Sequence, residues 1–377
     1  MGGDPGMGDL PECPAGFAVD RRLLDVPYSD LDERNVLDLY LTNAPGPNPL
    51  FIWIHGGGWR GGSKDNVGRQ FQDFITRGYS IASIEYRLSD HPWPAPVADT
   101  KAAVRWLRAN AAEYGLDPDR FVAAGSSAGG HLVAMLGTSA NDPFFVDAMP
   151  VHPEVSDGVR TVVNFFGPTV IDQMDADAVA NGCPANALCH DCADSPESLL
   201  LDCRPSQCPD VAAQASPVAY VDGDEPPFMT IHGAEDCTVP APQGRRLHTA
   251  LEAVGSETVL IEVEGAGHNV NQVLAGDTLD RFYAFVERTT RGCAPPQIEQ
   301  PADAVLSDCV WNACAAQARA CEANPVCVAL EECFVACFAE GQGGCINRCL
   351  AQVDDSEAGV PDHRPLFDCA RPAGCYR

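Results

Sequence analysis

The sequence predicts an α/β protein: a mostly parallel central sheet with helices on both faces, plus a small disulfide-stapled helical C-terminal domain. Three observations carry this. Short apolar runs alternate with helical patterns from about residue 20 to 292. Glycine-rich segments directly follow two of those runs. Ten of the 18 cysteines crowd into residues 305–377. Strand–helix alternation of this kind buries a parallel sheet on both sides.

The elements follow in order. Residues 1–19 are Gly- and Asp-rich and read as a flexible tether. The strand-length runs are 35–41, 50–54, 80–86, 121–125, 161–167, 227–233 and 258–265, most of them rich in β-branched or aromatic residues. The runs before residue 50 have short links, which predicts an antiparallel edge. The clearest helix is 96–115, where Val97, Val104 and Leu107 share a face and Gly115 closes the pattern. Residues 170–215 interrupt the alternation with five cysteines (Cys183, Cys189, Cys192, Cys203, Cys208) and read as a stapled cap insertion. A Pro-rich linker spans 293–304. In the tail, Cys333 with Cys337 and Cys345 with Cys349 have helical spacing around a Gly-rich turn, which predicts a hairpin with rungs Cys333–Cys349 and Cys337–Cys345. A unit of this size needs such staples because its core is small.

Composition narrows the function. The formal charge of −29 argues against nucleic acid, whose phosphates need a basic face. No apolar run is long enough to span a membrane. An even, high cysteine count points to an oxidising compartment. The start MGGDPGMGDLPECP has no apolar leader, yet the cysteines imply export, and the Gly/Asp-rich start resembles the tether that follows a signal or lipid anchor. Arg outnumbers Lys by 22 to 2 and no N-x-Ser/Thr sequon occurs, as in a secreted or cell-surface bacterial protein, periplasmic or extracellular.

The sharpest chemical signal is Gly125-Ser126-Ser127-Ala128-Gly129, between the apolar run FVAA and the helical HLVAML. In strand–turn–helix context this is a nucleophile elbow, with Ser127 central and Ser126 the lesser candidate. Small neighbours let strand and helix approach while the hydroxyl projects alone. His55-Gly56-Gly57-Gly58-Trp59 follows LFIWI, and its bare backbone amides suit an oxyanion. The candidate donors are the N–H groups of Gly57, Gly58 and Ala128. A serine also needs a base and an orienting carboxylate. Asp236 follows one strand run and His268 the next. Glu235 and, ranked second, Asp172 are competing acids. His232 reads as packing, and His55 as ordering the glycine loop.

Together HGGGW, GSSAGG, HGAEDCTVP and GAGH, with VPYSDLDERNVLDLYL at the front, resemble the α/β-hydrolase superfamily. The nearer likeness is to secreted esterases and lipases of the feruloyl and acetylxylan esterase type. Hormone-sensitive-lipase-like esterases and kynurenine formamidases are similar. The resemblance covers about residues 20–290 and implies Ser127 as nucleophile, Asp236 and His268 as its partners, and Gly57, Gly58 and Ala128 around the oxyanion. It also implies no metal or organic cofactor. The insertion and the tail depart from the pattern.

Cys189-His190-Asp191-Cys192, with Cys183 and Cys203, also admits a zinc reading, but the oxidising compartment favours disulfides. Cys237, beside Asp236, is expected to bond a cysteine of the insertion, Cys208 first. Trp59 and Trp93 are candidate pocket walls, with packing as the alternative. The expected activity is a serine carboxylesterase acting on short acyl or aryl esters, including acetyl or feruloyl groups on plant polysaccharide. An amide or formamide hydrolase with the same triad is the first rival, and an inactive hydrolase-fold binding protein the second. Residues 305–377 are expected to serve protein or surface contact.

Overall fold

The computed structural model describes residues 10–295, apart from 66, 186 and 188. The linker beyond 295, the C-terminal domain and its cysteine rungs lie outside the described residues.

Eight strands form one sheet: β1 (Val19–Pro27), β2 (Val36–Thr42), β3 (Asn48–Ile54), β4 (Ser80–Ile84), β5 (Leu116–Ser126), β6 (Thr161–Phe165), β7 (Phe228–Gly233) and β8 (Thr258–Val263). Their order is β1-β2-β4-β3-β5-β6-β7-β8. β1, β2 and β4 pair antiparallel, and every other neighbouring pair is parallel. The helices are α1 (Arg69–Thr76), α2 (Ala95–Ala109), α3 (Ala128–Thr138), α4 (Pro143–Ala148), α5 (Met174–Ala180), α6 (Pro196–Leu201), α7 (Pro209–Gln214), α8 (Pro242–Val254), α9 (Val270–Val273) and α10 (Asp277–Arg291). This is the α/β-hydrolase fold.

Strand alternation makes two cores. Along β3, Leu50, Ile52 and Ile54 join the side of α2, α3 and α8, where Leu107, Leu132 and Leu251 are buried. Phe51 and Trp53 point the other way, onto Phe71 and Phe74 of α1 and Phe282 of α10. Successive side chains leave a strand on opposite faces, so a sheet covered on both sides needs apolar residues at every position. All seven residues of β3 are buried.

The structure differs from the sequence expectation in four places. β1 belongs to no apolar run, because it is an edge strand whose side chains are mostly exposed. The helix over 96–115 stops at Ala109, where Asn110 caps it by donating from both its backbone N–H and its side-chain amide to Trp106 O. β5 then begins at Leu116, since Asn48 of β3 pairs with that residue. The tether does not extend to residue 19: Cys13 is buried, its N–H donates to Ala294 O at 2.8 Å, and its sulfur lies at disulfide distance from Cys293.

α2 carries two charges inward. Lys101 and Arg105 are fully buried, and both reach Asp157, at 3.3 Å and 3.1 Å. Buried charges persist when paired. Burial still lowers the Lys101 pKa, because desolvation outweighs the Asp157 charge.

Candidate active site

β5 ends at Ser126 and α3 begins at Ala128, so Ser127 alone makes the turn. Its backbone sits at φ 57°, ψ −120°, a strained region for a residue with a Cβ. Hydrogen bonds hold it there: Ser127 N–H donates to Phe165 O at 2.9 Å, and His131 N–H donates to Ser127 O at 3.0 Å. The flanking glycines are sterically required. A Cβ on Gly125 would lie 2.4 Å from Gly129 O, and one on Gly129 would lie 2.1 Å from Ile54 O.

The glycine loop leaves β3 at Ile54. Gly57 has φ +119°, and a Cβ there would lie 2.2 Å from Gly61 O. Among the described residues, the N–H groups of Gly57, Gly58 and Ala128 have no protein acceptor. His55 braces the loop from behind. Its Nδ1 bonds Gly56 O at 2.7 Å, its Nε2 lies 3.3 Å from Glu85 Oε2, and its ring stacks on Tyr86. Burial alone would raise the Glu85 carboxyl. The hydrogen bond and charge of His55, the Lys64 N–H and the charge of Arg34 more than offset it, so the pKa is lowered.

Asp236 follows β7 and is fully buried. Its Oδ1 accepts from the N–H groups of Thr238 and Val239, at 2.8 Å and 3.0 Å. Its Oδ2 accepts from His268 Nδ1 at 2.7 Å. That bond places the ring proton on Nδ1 and leaves Nε2 as an acceptor. The His268 side chain is 20% exposed, and the Phe166 ring packs beside it with centroids 4.5 Å apart. His232 is buried and bonds Val239 O at 2.8 Å, a packing role.

Gly57, Gly58, Ser127, Ala128 and His268 all line one pocket of about 640 Å³. Asp172 and Glu235 are exposed and outside it. Trp59 borders the pocket, but its indole is 1% exposed and packs edge-on against His131, so it buttresses the wall. Trp93 is not at the pocket. Its indole N–H donates to Gln214 Oε1 at 2.9 Å and its ring packs on Phe145, so it ties α7 to the core.

The insertion grips the acid loop. Asn181 Nδ2 donates to Ala234 O and Asp236 O, at 3.3 Å and 3.1 Å. Cys237 does meet an insertion cysteine, but it is Cys183 and not Cys208. Cys208 is satisfied locally by Cys203, and Cys189 by Cys192. These cysteines fall into separate pairs at disulfide distance instead of converging as a zinc site would require. Sequence reasoning passed over Phe166, Pro196 and Glu197 on the pocket wall, and Glu85 behind the glycine loop. Glu85 was findable as a carboxylate just past a buried strand. Pro196 and Glu197 come from an insertion without periodicity.

The BD-FAE family model matches residues 37–251 of the chain. The chain belongs to the BD-FAE family. This BD-FAE member is 34% identical over 282 residues to esterase LipC of Mycobacterium tuberculosis, covering 73% of the chain and 66% of LipC. It spans 56% and 53% of two further mycobacterial relatives, so between about half and two thirds of the length of these three proteins. A truncated carbohydrate esterase from gut microbiota superposes with a TM-score of 0.61 at 26% identity, covering 75% of this chain and 99% of that one. A butyrate-bound esterase from Thermogutta terrifontis gives a TM-score of 0.53 at 26% identity, covering 73% and 91%.

Proposed function

We propose that this chain is an exported serine carboxylesterase acting on short acyl or aryl esters, with acetyl or feruloyl groups on plant polysaccharide among them. One observation carries the reading: the imidazole held by Asp236 at 2.7 Å lines the same pocket as Ser127 and the amides of Gly57, Gly58 and Ala128, which have no acceptor among the described residues. The esterases among the relatives support the reaction class, and the carbohydrate esterase and the butyrate complex support the substrate.

The chemistry runs in two acyl transfers. His268 Nε2 takes the Ser127 proton as Oγ bonds to the ester carbonyl carbon. The carbonyl oxygen becomes an oxyanion, received by the amides of Gly57, Gly58 and Ala128 and favoured by the N-terminus of α3. The C–O bond to the alcohol then breaks, and the imidazolium returns its proton to that alcohol. Water, deprotonated by the same nitrogen, releases the acid and restores Ser127. Asp236 holds the tautomer and offsets the imidazolium charge.

The eight described cysteines, all at disulfide distance from a partner, support an oxidising compartment. On this reading residues 305–377, which lie outside the described residues, serve protein or surface contact. The test is turnover of acetyl, butyryl, octanoyl and feruloyl esters beside N-formylkynurenine, with fluorophosphonate labelling, for wild type and Ser127→Ala. Ester turnover and labelling that both vanish in Ser127→Ala are expected. Preference for N-formylkynurenine would make the protein a formamidase, and an unlabelled, inactive wild type would leave a binding protein.

A further inference from the structure

The pocket wall contributed by the cysteine-rich insertion holds a charged group that the proposed reaction leaves unused. Glu197 lines the pocket with Pro196, yet it is 3% exposed. The wall stands against the glycine loop: a Cβ on Gly58 would come 3.3 Å from Pro196 Cβ. Arg60, after that loop, donates to Asp194 O at 3.3 Å and joins the two segments.

The two oxygens of Glu197 differ. His190 Nδ1 donates to Oε1 at 3.0 Å. Oε2 is buried and has no hydrogen-bond partner among the described residues. A buried carboxylate oxygen without a donor is costly to keep. The site is also rigid: Ser195 Oγ accepts from Ser198 N–H and donates to His190 O, and Asp175 accepts the N–H groups of His190 and Asp191.

We propose that Glu197 is a specificity-determining residue whose free oxygen accepts a hydrogen bond from a hydroxyl group of the substrate. The proposal rests on the ester-hydrolase reading and names the feature that this pocket selects. A hydroxyl fits better than an ammonium. Burial disfavours charge on the His190 ring, but the hydrogen bond and charge of Glu197, with Asp175 and Asp236, outweigh it and raise the His190 pKa. Oε1 is already held by the His190 ring, and what Oε2 lacks is a donor. A site built to bond a hydroxyl discriminates strongly against an analogue without one.

The hydroxyl belongs either to the alcohol or to the acyl group, and paired substrates separate the two. An acetylated monosaccharide is compared with ethyl acetate, and methyl ferulate with methyl 3,4-dimethoxycinnamate, for wild type and Glu197→Gln. In one pair, wild type is expected to favour the hydroxylated member in kcat/KM by at least about tenfold, the strength of a bond to a charged acceptor. Glu197→Gln removes most of that preference, and the responding pair identifies the source. A wild type without this preference in either pair overturns the proposal without any variant. So does a Glu197→Gln that scales both members of each pair by one factor, whatever its size. A wild type that neither turns over p-nitrophenyl acetate nor takes a fluorophosphonate label overturns the hydrolase reading and this proposal together, a result distinct from equal scaling.

Discussion

His268 Nδ1 donates to a buried oxygen of Asp236 at 2.7 Å, and the other oxygen of Asp236 is held by two backbone amides. The carboxylate therefore cannot turn, and the ring it orients cannot choose its tautomer. Asp236→Asn keeps the shape but offers a donor where an acceptor is needed. The expected loss in kcat is on the order of 10⁴-fold, with little change in melting temperature. Steady-state kinetics with p-nitrophenyl acetate, beside thermal unfolding, checks both halves.

The elbow depends on the absence of side chains at two glycines. A Cβ at Gly129 meets Ile54 O at 2.1 Å and His55 O at 2.6 Å, backbone atoms that cannot rotate away. Gly129→Ala should cost about 3 kcal/mol or more. At Gly61 a Cβ meets nothing within 4 Å, so Gly61→Ala serves as the near-neutral control. Chemical denaturation of the two variants decides the matter.

Asp157 neutralises both buried cations of α2. Asp157→Asn leaves Lys101 and Arg105 facing each other without an anion. The expected destabilisation is about 3–5 kcal/mol, because a broken buried pair leaves uncompensated charge. Replacing the exposed Asp119 should change stability by less than about 0.5 kcal/mol.

His131, packed behind the pocket wall, gives stability a pH dependence. Burial pushes its pKa down to about 4, only partly opposed by its bond to Ala215 O. The folded protein therefore keeps this ring neutral while the unfolded chain protonates it below about pH 6.5. Its contribution is complete above that value and is lost as pH falls from about 6.5 to 4, by roughly 3 kcal/mol in all. His131→Gln should flatten the fall in melting temperature across that window. An unchanged slope would refute the assignment.

Much of the molecule was legible before any coordinates. The runs at 50–54, 80–86, 121–125, 161–167 and 227–233 each overlap a strand, because a sheet buried on both faces imposes unbroken apolarity, and the run at 258–265 overlaps the half-buried edge strand β8. The elbow at Ser127 and the loop at Gly57 and Gly58 were visible because their geometry demands glycine at set positions. β1 was hidden because an exposed edge strand has no apolar pattern to show. The partner of Cys237 was hidden because sulfur chemistry does not encode distance, and Cys183 and Cys208 look alike from the chain alone.

Local constraints thus wrote themselves into the order of residues: strand against helix, strained turn, bare amides, and carboxylate and imidazole each just past a strand. What folding alone decided was long-range. It brought His268 to Asp236 across 32 positions, set Asp157 between two cations of α2, and laid Pro196 and Glu197 along the wall of the Ser127 pocket. Such contacts depend on which surfaces meet when the chain collapses, a property of the whole packing and of no single stretch.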